Sequence, residues 1–246
     1  MNFFSGTFLS FDTINYLSWF APSMNLFYYE IPKCGCTSVL SFLERIINRH
    51  KKSRGFIHER RGSLWRNSKL TSTPESFSSA ISILQDPASL KFTVVRDPMS
   101  RFLSAYYDKF VCNPDPPLIK SLGFDYSESY ILPTPVEVIS RLIELNRVNI
   151  DIHFLPFSDL IKPVRHYISH MVSIECVEPL LLRNIGVSSA TVGTFPKLNE
   201  SHKPGYTEIQ SEYMLSNNLF SHMVQKFYAR DFYIYDQALK STDLLG

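Results

Sequence analysis

The alternation of apolar and polar residues along the chain predicts two strand–loop–helix units. The first begins with the apolar run NLFYYEI (25–31), which is typical of a buried strand and ends before Pro32. Beyond a short loop, apolar residues return at helical spacing, at positions 39, 42, 43, 46 and 47. A helix is therefore expected to begin near Thr37 and Ser38, which are residue types that suit an N-cap.

A second unit with the same pattern follows. The apolar strand SLKFTVV (89–95) leads into RDPMSRFLSAYYDKF, where Pro98 suits the first helical turn and Asp97 suits the cap. One helical stripe is formed by Met99, Phe102, Leu103, Tyr106 and Phe110. Strands that alternate with helices predict an α/β fold, a central and mainly parallel sheet flanked by helices. Ligands of such sheets bind at the carboxyl ends of the strands.

The rest of the chain shows weaker patterns. The Ser-rich, basic stretch 49–80 suggests loops and a short helix. Further elements are expected as a helix over 136–147, a strand over 167–172, a helix over 176–185 that ends at Gly186, and a last long helix over 208–228. No domain boundary is visible, so residues 25–240 are expected to form a single domain after an N-terminal extension, residues 1–24.

Composition and charge exclude several classes of protein. The 246 residues carry 25 Lys and Arg against 23 Asp and Glu, and the chain is rich in Tyr and Phe, so it is not a disordered polyelectrolyte. No run of about 18 apolar residues and no signal-peptide pattern occurs, so a cytoplasmic protein with no transmembrane segment is expected. An excised luminal domain would show the same pattern.

The basic residues are concentrated in one segment. Against the single acid Glu59 stand Arg49, Lys51, Lys52, Arg54, Arg60, Arg61, Arg66 and Lys69. Such a run usually forms a solvated surface. The functional alternative is a rim that attracts an anionic acceptor or an anionic cofactor. Elsewhere the basic residues are dispersed and the aromatic residues are not interleaved with them, so nucleic acid is not expected as a partner.

The loop PKCGCTS (32–38) has the chemistry of an anion site. A strand, a tight loop and a helix N-terminus direct backbone N–H groups and the positive end of the helix dipole to one place, and Lys33 adds a charge. Gly35 allows close approach of the backbone. The loop is not a Walker A motif, because Lys precedes the loop. An ordinary strand-to-helix turn is equally consistent with this spacing.

The two motifs also carry two cysteines and an arginine with alternative roles. Cys34 and Cys36 form a C-x-C pair, a weak metal signal, so these residues are expected to fill space in the loop. Arg96, at the end of the second strand, suits a forked contact with a phosphate, and Ser104 lies about two turns into the following helix. The alternative for Arg96 is a surface ion pair.

Together, PKCGCTS and RDPMSRFLSAYYDKF resemble the paired cofactor signatures of the sulfotransferases that use 3′-phosphoadenosine 5′-phosphosulfate (PAPS). The similarity is greatest to the carbohydrate group, the chondroitin and dermatan enzymes. It continues more faintly in HFLP (153–156), SIECVEPLLLRNIG (173–186) and FYARDFYIYD (227–236). The resemblance implies a P-loop-kinase-like sulfotransferase fold. The animal Golgi enzymes of this group carry a transmembrane anchor, and the sequence shows none, so a bacterial relative is expected.

The resemblance also implies roles for individual residues. Lys33 would contact the bridging oxygen and the 5′-phosphosulfate. Arg96 and Ser104 would bind the 3′-phosphate, without a metal. The 5′-phosphate would be wrapped by Gly35, Cys36, Thr37 and Ser38. The reaction implied is an in-line displacement that moves a sulfuryl group to an acceptor hydroxyl, with a carbohydrate as the expected acceptor.

A general base is the remaining requirement. His58 lies between the two motifs, where related enzymes place a catalytic His or Glu, and it is the first candidate, with Glu59 beside it. His153 is the second candidate, and it could equally bind substrate or be structural. Ser201 and Lys203 are further possible cofactor contacts.

Two other functions fit the same pattern, a nucleotide-dependent small-molecule kinase and a non-catalytic anion- or nucleotide-binding protein. The sequence names neither the acceptor nor the oligomeric state.

Overall fold

The computed structural model describes residues 7–48, 74–127, 130–196 and 205–242. Within them the chain forms a four-stranded sheet in the order β1–β2–β3–β4. Only β1 is antiparallel to its neighbour; β2, β3 and β4 are mutually parallel. The strands are β1 (Ser18–Ala21), β2 (Leu26–Tyr29), β3 (Leu90–Val95) and β4 (His170–Ser173). The expected α/β fold with a mainly parallel sheet flanked by helices is confirmed.

The helices connect and flank these strands. In chain order they are α1 (Phe11–Leu17), α2 (Cys36–Asn48), α3 (Pro74–Gln85), α4 (Pro98–Tyr106), α5 (Pro116–Ser121), α6 (Pro135–Glu144), α7 (Phe157–Leu160), α8 (Val177–Ile185), α9 (Ser189–Val192), α10 (Tyr206–Ser211), α11 (Asn218–Phe227) and α12 (Ala229–Thr242). None of the helices in the described ranges has the length and apolar character needed to span a bilayer.

The described residues form two compact units. Of the described residues, the sheet unit contains 7–48, 74–95, 161–196 and 237–242, and the helical unit contains 96–127, 130–160 and 205–236. All four strands belong to the sheet unit, whereas α4, α6 and α11 pack together in the helical unit.

The carboxyl ends of the three parallel strands lie along one edge of the sheet, the edge at which ligands are expected. Tyr29 pairs with Thr93, and Val95 pairs with Ser173, so β2, β3 and β4 end at the same edge of the sheet. The Thr93 hydroxyl donates to the Tyr29 carbonyl at 2.7 Å. Apolar side chains cover the strands, with Tyr28 stacked on Phe92 at a ring separation of 4.9 Å.

Aromatic packing organises the helical unit. The Phe102 ring of α4 lies 5.6 Å from that of Phe154, 5.4 Å from that of Phe220 and 6.4 Å from that of Tyr228. All four residues are buried. The helical stripe predicted after the second strand is therefore a core face.

Several element boundaries differ from the sequence prediction. The single helix expected over 208–228 is wrong: α10 and α11 are separate, because Asn217 accepts the N–H of Phe220 and starts a new helix. The strand expected over 167–172 begins at His170. The helix stop at Gly186 is confirmed, with φ +69. The segment expected as an extension contains α1 and β1.

Candidate active site

The loop after β2 has an unusual backbone. Lys33 has φ +68 and Gly35 has φ +78, and α2 begins at Cys36. For a residue with a Cβ, the left-handed region costs roughly 1–2 kcal/mol. Such strain persists only where the surroundings impose it, and it occurs often at functional sites. The turn is therefore held in a defined shape ahead of the helix N-terminus.

Gly35 is required by its surroundings as well as by its φ. A Cβ placed on Gly35 would lie 2.5 Å from Cδ1 of Ile174, the residue that follows β4. Real Cβ atoms do not approach so closely. The loop after β2 is thus packed against the chain that leaves β4, within the sheet unit.

The remaining predicted loop residues open α2. Cys36, Thr37 and Ser38 are its first three residues, where helix N–H groups have no intrahelical acceptor and the helix dipole is positive. Burial, followed by the charge of Glu30, raises the pKa of the Cys36 thiol. The thiol is therefore neutral and adds no negative charge to the turn. None of the four cysteines forms a disulfide.

Glu30 is a site residue that the sequence analysis missed. It is 2% exposed, and its Oε2 accepts the indole N–H of Trp19 at 2.8 Å. Its side chain also hydrogen-bonds to that of Cys36. The sequence feature that could have identified Glu30 is the presence of an acidic residue inside the apolar run NLFYYEI. Glu30 links β1, β2 and the first turn of α2.

The second motif begins where β3 ends. Arg96 follows Val95 directly and is partly buried. Asp97 caps α4 as predicted, its Oδ1 accepting the N–H of Ser100 at 2.7 Å. Ser104 lies in α4 and is partly exposed. Since β2 and β3 end at one edge of the sheet, the two motifs leave the sheet from neighbouring strands.

Arg101 differs from Arg96 although both belong to the same motif. Its side chain is 1% exposed, and its guanidinium donates to the carbonyls of Leu155 (2.9 Å) and Ile152 (3.3 Å). Arg101 therefore supports the backbone around His153. The sequence motif alone assigns Arg101 no role.

His153 has a carboxylate partner. Its Nδ1 lies 2.7 Å from Oδ1 of Asp151, which also accepts the His153 backbone N–H at 2.9 Å. Burial tends to raise the pKa of Asp151, but the hydrogen bond and charge of His153, together with the charge of Lys109, lower it below its usual value. Asp151 is therefore a carboxylate at neutral pH.

A cleft of about 330 Å³ lies beside this pair in the helical unit. Its wall contains Asp115, Pro117, Leu118, Ser121, Val148, Asn149, Ile150 and Asp151. Carboxylate, amide and hydroxyl groups thus alternate with apolar surface. In the described residues, no group of three or more His, Cys, Asp or Glu is arranged to hold a metal ion.

Several predicted residues lie outside the described residues. They are His58, Glu59, the basic segment from Arg49 to Lys69, Ser201 and Lys203. Their roles stay predictions.

The fold and loop together define an α/β protein with a strand-to-helix turn of positive φ at the carboxyl edge of its parallel strands. The sequence matches the Sulfotransferase family over residues 17–237, which is most of the chain. The chain therefore belongs to the sulfotransferase family. The comparisons gave no match to a curated protein or to a solved structure.

Proposed function

We propose that the protein transfers the sulfuryl group of PAPS to a hydroxyl group of a carbohydrate. The observation that carries this proposal is the shape of the 33–38 turn. Lys33 and Gly35 have positive φ and lead directly into the N-terminus of α2. An anionic group is favoured at such a place by backbone donors and by the helix dipole. Family membership supports sulfuryl transfer as the reaction.

The donor would be held at its two anionic ends. Lys33, Gly35, Cys36, Thr37 and Ser38 would hold the 5′-phosphosulfate through backbone, hydroxyl and ammonium donors.

At the other end, Arg96 and Ser104 would hold the 3′-phosphate, because a guanidinium suits bidentate contact with phosphate. When bound, PAPS supplies an activated sulfuryl group and its leaving group. The chain supplies orientation and positive charge, which carry most of the catalysis in transfers of this type.

Two histidines are candidates for the base that removes the acceptor proton. His58 is supported by its position between the two motifs. His153 is supported by its contact with Asp151, which orients the ring. Separate substitution to Ala distinguishes them, since the base variant keeps donor binding and loses turnover.

The cleft beside Asp151 supports a carbohydrate as the acceptor. Ser121 and Asn149 offer hydrogen-bonding groups for hydroxyls, and the apolar wall suits the carbon face of a sugar ring. Asp115 and Asp151 place negative charge in the wall and disfavour a polyanionic acceptor.

Calorimetric titration with adenosine 3′,5′-bisphosphate tests the proposal. Saturable binding is expected, and it should be strongly weakened in Lys33→Ala and in Arg96→Ala. Lys162→Ala and Arg165→Ala are matched controls, because both residues are exposed basic residues. No saturable binding, or equal affinity in all four variants, would overturn the proposal. Mg²⁺-dependent binding of ATP would indicate a kinase instead, and binding without turnover a non-catalytic protein.

A further inference from the structure

The backbone that carries His153 is held by three buried side chains from distant positions in the chain. Arg101 donates to the carbonyls of Ile152 and Leu155 at 3.3 and 2.9 Å. The Tyr228 hydroxyl donates to the carbonyl of Phe154 at 2.6 Å. Carbonyl groups on both sides of His153 are therefore fixed from inside the helical unit.

The C-terminal side of the same segment is fixed by Asp231. Its side chain is fully buried, and its two oxygens accept the N–H groups of Phe157 (2.7 Å) and Ser158 (2.9 Å). These N–H groups belong to the first turn of α7. Buried, hydrogen-bonded side chains of this kind define a single backbone conformation, because any other leaves polar groups unsatisfied.

His153 is the polar residue that this segment presents outward. Phe154, Leu155 and Phe157 are at most 1% exposed, whereas the His153 side chain is 25% exposed. The apolar neighbours fix the position of the His153 backbone. They do not fix the rotation of its ring or the location of its proton.

Asp151 supplies both missing constraints. A carboxylate accepts hydrogen bonds and does not donate them, so its 2.7 Å contact with Nδ1 favours the tautomer with the proton on Nδ1. The lone pair then lies on Nε2. The second bond, from the His153 backbone N–H to the same oxygen, keeps the carboxylate in place.

We propose that Asp151 is a positioning residue for His153, and that His153 Nε2 takes the proton of the acceptor hydroxyl. This inference rests on the proposed sulfotransferase function. As the acceptor oxygen bonds to sulfur, its proton passes to Nε2. The bond between sulfur and the bridging oxygen breaks, and its electron pair stays on the 5′-phosphate. Asp151 touches neither reacting atom and acts through the ring. It also lines the cleft in which an acceptor would lie.

Asp151→Ala tests the inference, because it removes the oxygen that accepts from Nδ1. An Asn here would keep an acceptor for Nδ1, since the same atom accepts the His153 backbone N–H. The matched control is Asp125→Ala at an exposed carboxylate. Nitrogen-15 NMR of the His153 ring reports the tautomer without any turnover. A proton on Nδ1 is expected in the wild-type protein, and the population with the proton on Nε2 should rise in Asp151→Ala, where Nδ1 has lost its acceptor. The same tautomer populations in both proteins would overturn the inference.

Turnover is measured as release of adenosine 3′,5′-bisphosphate from PAPS, with water alone as the acceptor, since a general base also activates water. We expect Asp151→Ala to lower kcat by about 10²–10⁴-fold, the usual contribution of general-base catalysis, with the KM for PAPS unchanged. His153→Gln should match it, and Asp151→Glu should recover part of the rate. Wild-type kcat in Asp151→Ala, or loss of turnover in His58→Ala with normal turnover in His153→Gln, would overturn the inference.

Calorimetry with adenosine 3′,5′-bisphosphate separates this inference from the proposed function. Normal binding in Asp151→Ala together with low kcat supports both. Absence of binding in the wild-type protein contradicts the proposed function, whereas the tautomer measurement still decides whether Asp151 fixes the ring.

Discussion

The indole nitrogen of Trp19 lies 2.8 Å from Oε2 of Glu30, and both side chains are buried. This bond joins β1 to the residue that follows β2 and precedes the 33–38 turn. Glu30 also contacts the Cys36 side chain in the first turn of α2. The edge strand therefore takes part in shaping the site.

Trp19→Phe should weaken this arrangement. The variant keeps an aromatic ring but removes a donor to a buried carboxylate, which costs about 1–3 kcal/mol in the free energy of unfolding. Urea unfolding measures the change, and calorimetry with adenosine 3′,5′-bisphosphate measures the accompanying loss of affinity. Tyr233→Phe, at a 65% exposed ring, is the control. Equal stability of the two variants would contradict the role of the Trp19–Glu30 bond.

Gly35→Ala should be more damaging than Gly123→Ala. Both glycines have nearly the same φ, +78 and +79, so both variants incur the left-handed cost of roughly 1–2 kcal/mol. Only at Gly35 does the new Cβ meet Ile174, whereas nothing lies within 4 Å at Gly123. Thermal unfolding and donor affinity should fall further in Gly35→Ala. Adding Ile174→Ala to Gly35→Ala should lower the excess loss of affinity, and an unchanged loss would show that the contact is unimportant.

Substitution of the two arginines of the second motif should have different effects, on the free energy of unfolding at Arg101 and on ligand affinity at Arg96. Arg101→Lys keeps the charge but cannot span both carbonyls, so the free energy of unfolding should fall by about 1–3 kcal/mol. Arg96→Lys, at a less buried position, should lose less free energy of unfolding than Arg101→Lys but bind adenosine 3′,5′-bisphosphate about tenfold more weakly, because a bidentate contact is lost. Urea unfolding and calorimetry on both variants check this pair. Reversed effects would show that the assignments are interchanged.

The Asp151–His153 contact should contribute stability in a defined pH range. The contact holds the pKa of Asp151 in the folded protein below its ordinary value of 3.8. The contribution is therefore complete above that value and is lost as the pH falls through the folded-state pKa. The difference in Tm between the wild type and Asp151→Asn should shrink as the pH falls below about 4. A difference independent of pH down to acid unfolding would contradict this assignment.

Local patterns were sufficient for the elements that carry the two motifs. The runs around Tyr28 and Phe92 became adjacent strands, and Asp97 caps α4 as its residue type indicates. Asn217 shows where such reasoning failed. Its capping hydrogen bond divides a segment whose apolar spacing fits one helix, and spacing alone cannot detect an interruption that preserves the apolar face.

Sequence by itself determined the α/β class, the two motifs and the residues proposed to hold the anions. These features depend on short-range properties, namely side-chain periodicity, capping and the freedom of Gly35. Tertiary structure decided which charged residues are buried and hydrogen-bonded to distant backbone groups. Arg101 and Asp231 are buried against backbone 51–54 and 73–74 residues away, and Ile174 closes the space at Gly35. Contacts at such separations arise only when the folded core brings the segments together, so no local sequence pattern predicts them.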